Sequence, residues 1–190
     1  MKIFLCGAQG VGKSTLVADL PSRYKLEKKD SFSKKFLAEN PLIQTSANSK
    51  YDEFQDKILL YCLSQYINDK NFISSRSIID SFAYISANDS EKKIPLMNIL
   101  NHYREYLLTE DDIYIYLPVE FPISLDNNEN RNIDIEYQQK VDEQMQRYFN
   151  NLRGLNTPSQ FYILTGGSES RLKSLIKIIE EKEKSINQKK

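Results

Sequence analysis

Tryptophan is absent from this 190-residue chain, histidine occurs once, as His102, and cysteine twice, as Cys6 and Cys62. A single imidazole leaves little for a histidine-rich metal site or histidine-based catalysis. The two thiols stand in apolar segments without metal-ligand spacing. That is the pattern of buried cysteines in a reducing compartment, so a cytoplasmic location is expected. Net charge is also missing, because 26 basic side chains balance 26 acidic ones. A duplex nucleic-acid binder needs a basic excess, so that class is set aside, while a local basic pocket for one nucleotide is not. No apolar run approaches the length of a membrane span, and the one at the N-terminus is too short for a secretory signal. No internal repeat or interdomain linker is visible. The length suits one domain over 1–190, long enough to bury a core.

What is present is concentrated near the start. Gly7-Ala8-Gln9-Gly10-Val11-Gly12-Lys13-Ser14 satisfies G-x-x-x-x-G-K-[ST], the phosphate-binding P-loop. Glycines let the backbone bend so that successive N–H groups face one concavity, which holds phosphate oxygens. Lys13 then reaches the β- and γ-phosphates, and the Ser14 hydroxyl ligates Mg²⁺. The helix entered through Thr15 adds its positive dipole end to the same anion. Context supports the motif. Lys2-Ile3-Phe4-Leu5-Cys6 reads as a buried parallel strand, and Ser14 to Leu20 has apolar residues at helical spacing with Pro21 near the stop. Strand, glycine loop and helix follow in the required order.

The remainder alternates in the same way. Tyr24 to Glu27 is a weak strand candidate, and Asp30 ends the following loop. A long helix is predicted from Glu53 to Asn68, with Phe54, Ile58, Cys62 and Tyr66 at steps of four. Asn71 to Ser75 is a short strand running into Arg76, and Ile78 to Ser86 a further helix. Another helix runs from about Pro95 to Leu108. Ile113 to Leu117 is a strand stopped by Pro118. Residues 120–132 form a polar, mobile-looking segment. Ile135 to Phe149 is an amphipathic helix, Phe161 to Leu164 the last strand, and Glu169 to about Ile186 the last helix. The alternation predicts an α/β fold, a three-layer α/β/α P-loop NTPase with a five-stranded, mostly parallel sheet. Ligands of such sheets sit beyond the carboxyl ends of the strands, so the strand-to-helix junctions are the places to inspect.

At those junctions the chain resembles a known family. Ser75-Arg76-Ser77 after a strand is similar to the Asp-Arg or Glu-Arg-Ser motif of nucleoside and nucleoside monophosphate kinases. Glu53-Phe54-Gln55 resembles the Phe-Gln element of deoxynucleoside kinases, and Ile133 to Tyr137 the segment after their arginine-bearing lid. Thr165-Gly166-Gly167-Ser168 occupies the place of their adenine-contacting loop. The order also resembles small phage and bacterial P-loop kinases related to nicotinamide riboside kinases. The resemblance implies that Gln55 reads a nucleobase, that Gly166 and Gly167 touch the adenine of ATP, and that the base accepting a hydroxyl proton lies at the end of the second strand. Asp30 is the nearest match there, with Glu27 as the alternative; a helix N-cap is the competing role for Asp30. One departure stands out. The family's acidic residue before the arginine is Ser75 here. Asp80, one helical turn on, either compensates for it or is a helix-surface aspartate.

Phosphoryl transfer is mostly positioning and neutralisation of spread negative charge, which assigns catalytic roles to Lys13, Arg76 and Arg131, the last in a lid over 120–132. Gln55, Arg76, Asp80 and Tyr84 form the expected acceptor set. Tyr84, Tyr103, Tyr106 and Tyr137 either stack on a base or are partly buried core tyrosines. The leading expectation is transfer of the γ-phosphate of ATP, with Mg²⁺, to a nucleoside or nucleoside monophosphate of the deoxyribose series. The alternative is a P-loop ATPase or switch acting on a protein partner. Against the alternative, Ile113 to Leu117 ends in Pro118 rather than aspartate, and no Asn-Lys-x-Asp guanine signature occurs. The wide apolar faces of 59–67 and 95–108 suit either core or a homodimer interface.

Overall fold

Parallel strands covered by helices on both faces must be apolar on both faces. Lys2–Cys6 (β1) and Asp112–Tyr116 (β4) meet that demand, with Ile3, Phe4, Leu5, Cys6 and Ile113, Tyr114, Ile115 and Tyr116 all buried. A computed structural model of the protein describes residues 1–29, 49–88, 98, 102, 108–120 and 135–188, without the side chains of 49–56 and 65. In it, β1 and β4 join Glu27–Lys29 (β2), Phe72–Ser74 (β3) and Gln160–Ile163 (β5) in one sheet of order β2-β3-β1-β4-β5. Every pairing is parallel, and Phe4 faces Ser74 on one side and Tyr114 on the other. The expected five-stranded sheet is therefore present, parallel throughout among the described residues.

Alternation along β1 divides the core. Phe4 and Cys6 point to the face covered by Ser49–Asn68 (α2), Ile78–Ala87 (α3) and Ile135–Gly154 (α4). Ile3 and Leu5 point to the face covered by Lys13–Asp19 (α1) and Ser168–Gln188 (α5). Three layers follow directly from the period of two. The first face is aromatic: the Phe4 ring lies 4.5 Å from Tyr66, 4.7 Å from Tyr114 and 5.5 Å from Phe72. Such ring pairs contribute roughly 0.5–1.5 kcal/mol each beyond area burial.

Some boundaries differ from the sequence expectation. The second strand is Glu27–Lys29, not Tyr24 to Glu27, and Tyr24 closes a 3₁₀ turn with its side chain buried. As a three-residue edge strand with a single neighbour, β2 carries charged residues that a central strand could not. Helix α4 runs past Phe149 to Gly154, because Leu152 continues the buried stripe of Val141, Met145 and Phe149. Helix α2 begins four residues early, at Ser49, and α5 one residue early, at Ser168. In the stretch expected to be helical over 95–108, Asn98 and His102 are helical and most other residues lie outside the described part. Among the described residues no helix is long and apolar enough to cross a membrane.

Candidate functional site

The loop between β1 and α1 is shaped by its first and last glycines. A Cβ on Gly7 would lie 2.5 Å from the Leu117 carbonyl oxygen and 3.0 Å from Val11 Cγ2, so only glycine fits where the loop leaves the sheet. Gly12 caps α1 in the left-handed region, φ 90°, and no side chain caps the helix. The first amides of α1 thus keep no side-chain acceptor, the condition under which a helix start binds an anion.

Lys13 turns inward. Its Nζ donates to the carbonyl oxygens of Gly7 and, at 2.9 Å, Ala8, and lies 3.6 Å from Asp80 Oδ1. Burial lowers the Lys13 pKa below the ordinary lysine value; the Asp80 carboxylate opposes this, and the neighbouring Arg76 guanidinium adds to it. Asp80 itself is 1 % exposed, so it is not a helix-surface residue. Its Oδ2 accepts from the Ser77 backbone N–H at 2.8 Å and the Ser77 hydroxyl at 2.7 Å, closing the first turn of α3. Its Oδ1 is buried without a hydrogen bond. Its charged neighbour Lys13 lies at 3.6 Å, and a buried carboxylate oxygen without a hydrogen bond costs roughly 1–3 kcal/mol, which marks it for a ligand role.

Arg76 is placed by the turn that leaves β3. Ser74 Oγ accepts from the Arg76 N–H at 3.2 Å and donates to the Arg76 carbonyl at 2.7 Å, and the buried Tyr66 hydroxyl donates to that carbonyl at 2.6 Å. The Arg76 guanidinium lies 5.3 Å from the centroid of the Tyr84 ring, which in turn lies 6.4 Å from Tyr137. Lys13, Arg76, Asp80 and Tyr84 are thus gathered beyond the carboxyl ends of β1 and β3. Ser75, where the resemblance calls for an acid, is buried with its N–H on the Lys29 carbonyl at 3.5 Å.

The remaining expected residues divide. Gly166 and Gly167 follow β5, and the Gly166 N–H donates to Glu120 Oε2 at 2.6 Å. Ser14 and Thr15 stand exposed in the first turn of α1. Glu27 opens β2 opposite Phe72 and pairs with Lys29 at 2.5 Å, which puts it at the amino end of the sheet, away from Lys13. It is therefore misplaced for a base at the strand's end. Asp30, Arg131, Tyr103 and Tyr106 lie outside the described residues, as does the side chain of Gln55 on α2.

Two residues with contacts here, Gln138 and Arg171, went unnoticed in the sequence. The amide of buried Gln138 donates to the Gln9 carbonyl at 2.6 Å. Buried Arg171 donates from Nη1 to the Val11 carbonyl at 2.8 Å, and from Nη2 to the Pro118 carbonyl at 3.1 Å and Glu120 at 2.8 Å. Both carried a signal. Gln138 precedes the stripe Val141, Met145, Phe149, and Arg171 precedes Leu175 and Ile179 at steps of four. A polar residue in register with an apolar stripe is buried with a task.

Comparison with known proteins bears on the whole arrangement. A family model described as "AAA domain" matches residues 2–171. No curated protein matches in sequence. Among solved structures, deoxyadenosine kinase from M. mycoides with the products dCMP and dCDP superposes with a TM-score of 0.69 at 18% identity, over 95% of this chain and 99% of that one. The same enzyme with bound dATP gives 0.57 at 17% identity over 95% and 100%. YorR from Bacillus subtilis, in complex with phosphorylated GDP, gives 0.60 at 19% identity over 95% and 96%. With its glycine loop, inward lysine and parallel sheet, the chain belongs to the AAA-domain family of P-loop proteins and has the fold of the nucleoside kinases.

Proposed function

We propose that the protein transfers the γ-phosphate of ATP to a nucleoside or nucleoside monophosphate, of the deoxyribose series. The observation that carries the reading is the convergence of Lys13, Asp80 and Arg76 beside Tyr84, because it supplies both halves of a two-substrate site. The P-loop amides and Lys13 hold the donor phosphates, while Arg76 faces the acceptor. The solved deoxyadenosine kinases bind dATP and dCMP, which supports a deoxynucleotide as ligand here. In the step, the bond between the β–γ bridging oxygen and the γ-phosphorus breaks, the acceptor oxygen bonds to that phosphorus, and ADP leaves. With a nucleoside acceptor, the hydroxyl proton passes to a carboxylate, which the resemblance assigns to Asp30. Arg131 and the 120–132 lid keep their expected role of closing over the phosphates.

The residues present fit Mg²⁺. The Ser14 hydroxyl and Asp80 Oδ1, which accepts no hydrogen bond, are hard oxygen donors, as this ion requires, with phosphate oxygens and water completing the shell. The ion would neutralise charge on the β- and γ-phosphates. Asp80 thereby takes over the acid that Ser75 lacks. Exposed Leu60, Tyr61 and Ile67 on α2 suit a homodimer, which sedimentation velocity decides.

The test is transfer from labelled ATP to a panel of nucleosides and nucleoside monophosphates, with Lys13→Ala as control. Transfer to one acceptor class, reduced roughly 10²–10³-fold by Lys13→Ala, is expected. Folded protein that phosphorylates nothing on the panel sinks the proposal. Hydrolysis stimulated by a protein partner, without an acceptor, favours instead the ATPase that the family description suggests.

A further inference from the structure

One guanidinium ties together three strand-to-helix junctions. Arg171, 7 % exposed on the first turn of α5, holds the Val11 carbonyl of the P-loop and the Pro118 carbonyl after β4. It also pairs with Glu120 at 2.8 Å, and the same Glu120 oxygen accepts the Gly166 N–H at 2.6 Å. Phosphate loop and base loop are thus linked through Arg171 and Glu120 in series. A planar fork with several donors can span such a set; an ammonium cannot. The cleft between α1 and α5, lined by Val11, Gly12, Leu16, Asp19, Ser168 and Arg171, lies along this link.

A purely structural role suits such a residue poorly. Arg171 Nε is buried with no hydrogen-bond partner. Apolar residues of similar volume commonly replace buried ion pairs at no loss of stability. Something other than packing keeps a charge there.

We infer that Arg171 and Glu120 are positioning residues for the donor nucleotide, setting the distance between the loop that holds its phosphates and the loop at Gly166 that meets its base. Glu120 acts directly on the base end, through Gly166, and reaches the phosphate loop only through Arg171, which keeps its own bonds to the Val11 and Pro118 carbonyls. Arg171 acts on both ends, because it also holds Val11. The inference rests on the kinase reading of the site.

The experiment compares two ligands, ATP and inorganic tripolyphosphate, each with Mg²⁺, by calorimetry. Tripolyphosphate occupies the phosphate loop and has no base. Glu120→Ala is expected to weaken ATP about tenfold, equivalent to about 1.4 kcal/mol, and to leave tripolyphosphate within twofold. Glu120→Gln keeps an acceptor for the Gly166 amide and is expected to retain most of the ATP affinity. Arg171→Met is expected to weaken both ligands. If Arg171→Met fails to fold, the two Glu120 variants decide, since that side chain is partly exposed and thermal unfolding checks each. Equal loss of both ligands in Glu120→Ala, or loss of neither, overturns the inference while the kinase reading stands. A wild-type protein that binds ATP no more tightly than tripolyphosphate overturns both.

Discussion

Replacing Asp80 with asparagine removes one charge and almost nothing else. The amide oxygen can still accept from the Ser77 backbone, so the start of α3 is kept. What goes is the partner of Lys13 at 3.6 Å. At an effective dielectric of about 20, that attraction is about 4–5 kcal/mol before desolvation is counted. Lys13 keeps its bonds to the Gly7 and Ala8 carbonyls and is 13% exposed, so much of the loss is recovered. A net destabilisation of roughly 1–3 kcal/mol is expected, at the low end for breaking a buried pair. Activity should fall further, roughly 10²–10³-fold, because charge on the transferred phosphoryl group loses both a metal-side oxygen and a well-protonated lysine.

The pH profile separates the two effects. Burial depresses the Lys13 pKa below 10.5, and Asp80 is the chief group holding it up. Between the folded and unfolded values the unfolded chain binds the extra proton, so this lysine makes the protein more stable as pH rises through that window. Activity moves the other way, because the neutral amine no longer attracts phosphate. The alkaline limb of kcat/KM for ATP should therefore lie below the usual lysine range and move lower still in Asp80→Asn. In Lys13→Arg it should vanish. An Asp80→Asn enzyme with unchanged rate and an unmoved alkaline limb would falsify the assignment of Asp80 to the phosphate site.

Two further substitutions probe the scaffold. Gly7→Ala forces a Cβ to 2.5 Å from the Leu117 carbonyl, which should cost about 1–3 kcal/mol by thermal unfolding and abolish stabilisation by ATP; an unchanged Tm and ATP response would refute the close approach. Gln138→Leu frees the Gln9 carbonyl and fills an apolar stripe, so stability should change by less than about 1 kcal/mol while KM for ATP rises severalfold; a matching loss in both would make Gln138 a packing residue only.

Much of this arrangement can be read from local pattern. Alternation of strands and helices is written as a change of period between two and 3.6, so the sheet, its helices and the phosphate loop are visible residue by residue. Boundaries slip where that signal is weak. Edge strand β2 has polar residues and one neighbour, and its placement moved Glu27 to the wrong end of the sheet for a base. The stop of α4 was obscured by asparagines at 150 and 151, though Leu152 continues its buried face.

The sequence by itself determined the phosphate-binding loop, because Gly7 to Ser14 is a local device whose conformation depends on its own glycines and on the strand and helix beside it. Tertiary structure alone decided the partners. Gln138 meets Gln9 across 129 positions and Arg171 meets Val11 across 160, and Asp80 turns toward Lys13 only because β3 and β1 are neighbours. Local periodicity reports which face a residue takes. Which residue it meets there depends on the order of strands in the sheet, and no short stretch of chain contains that order.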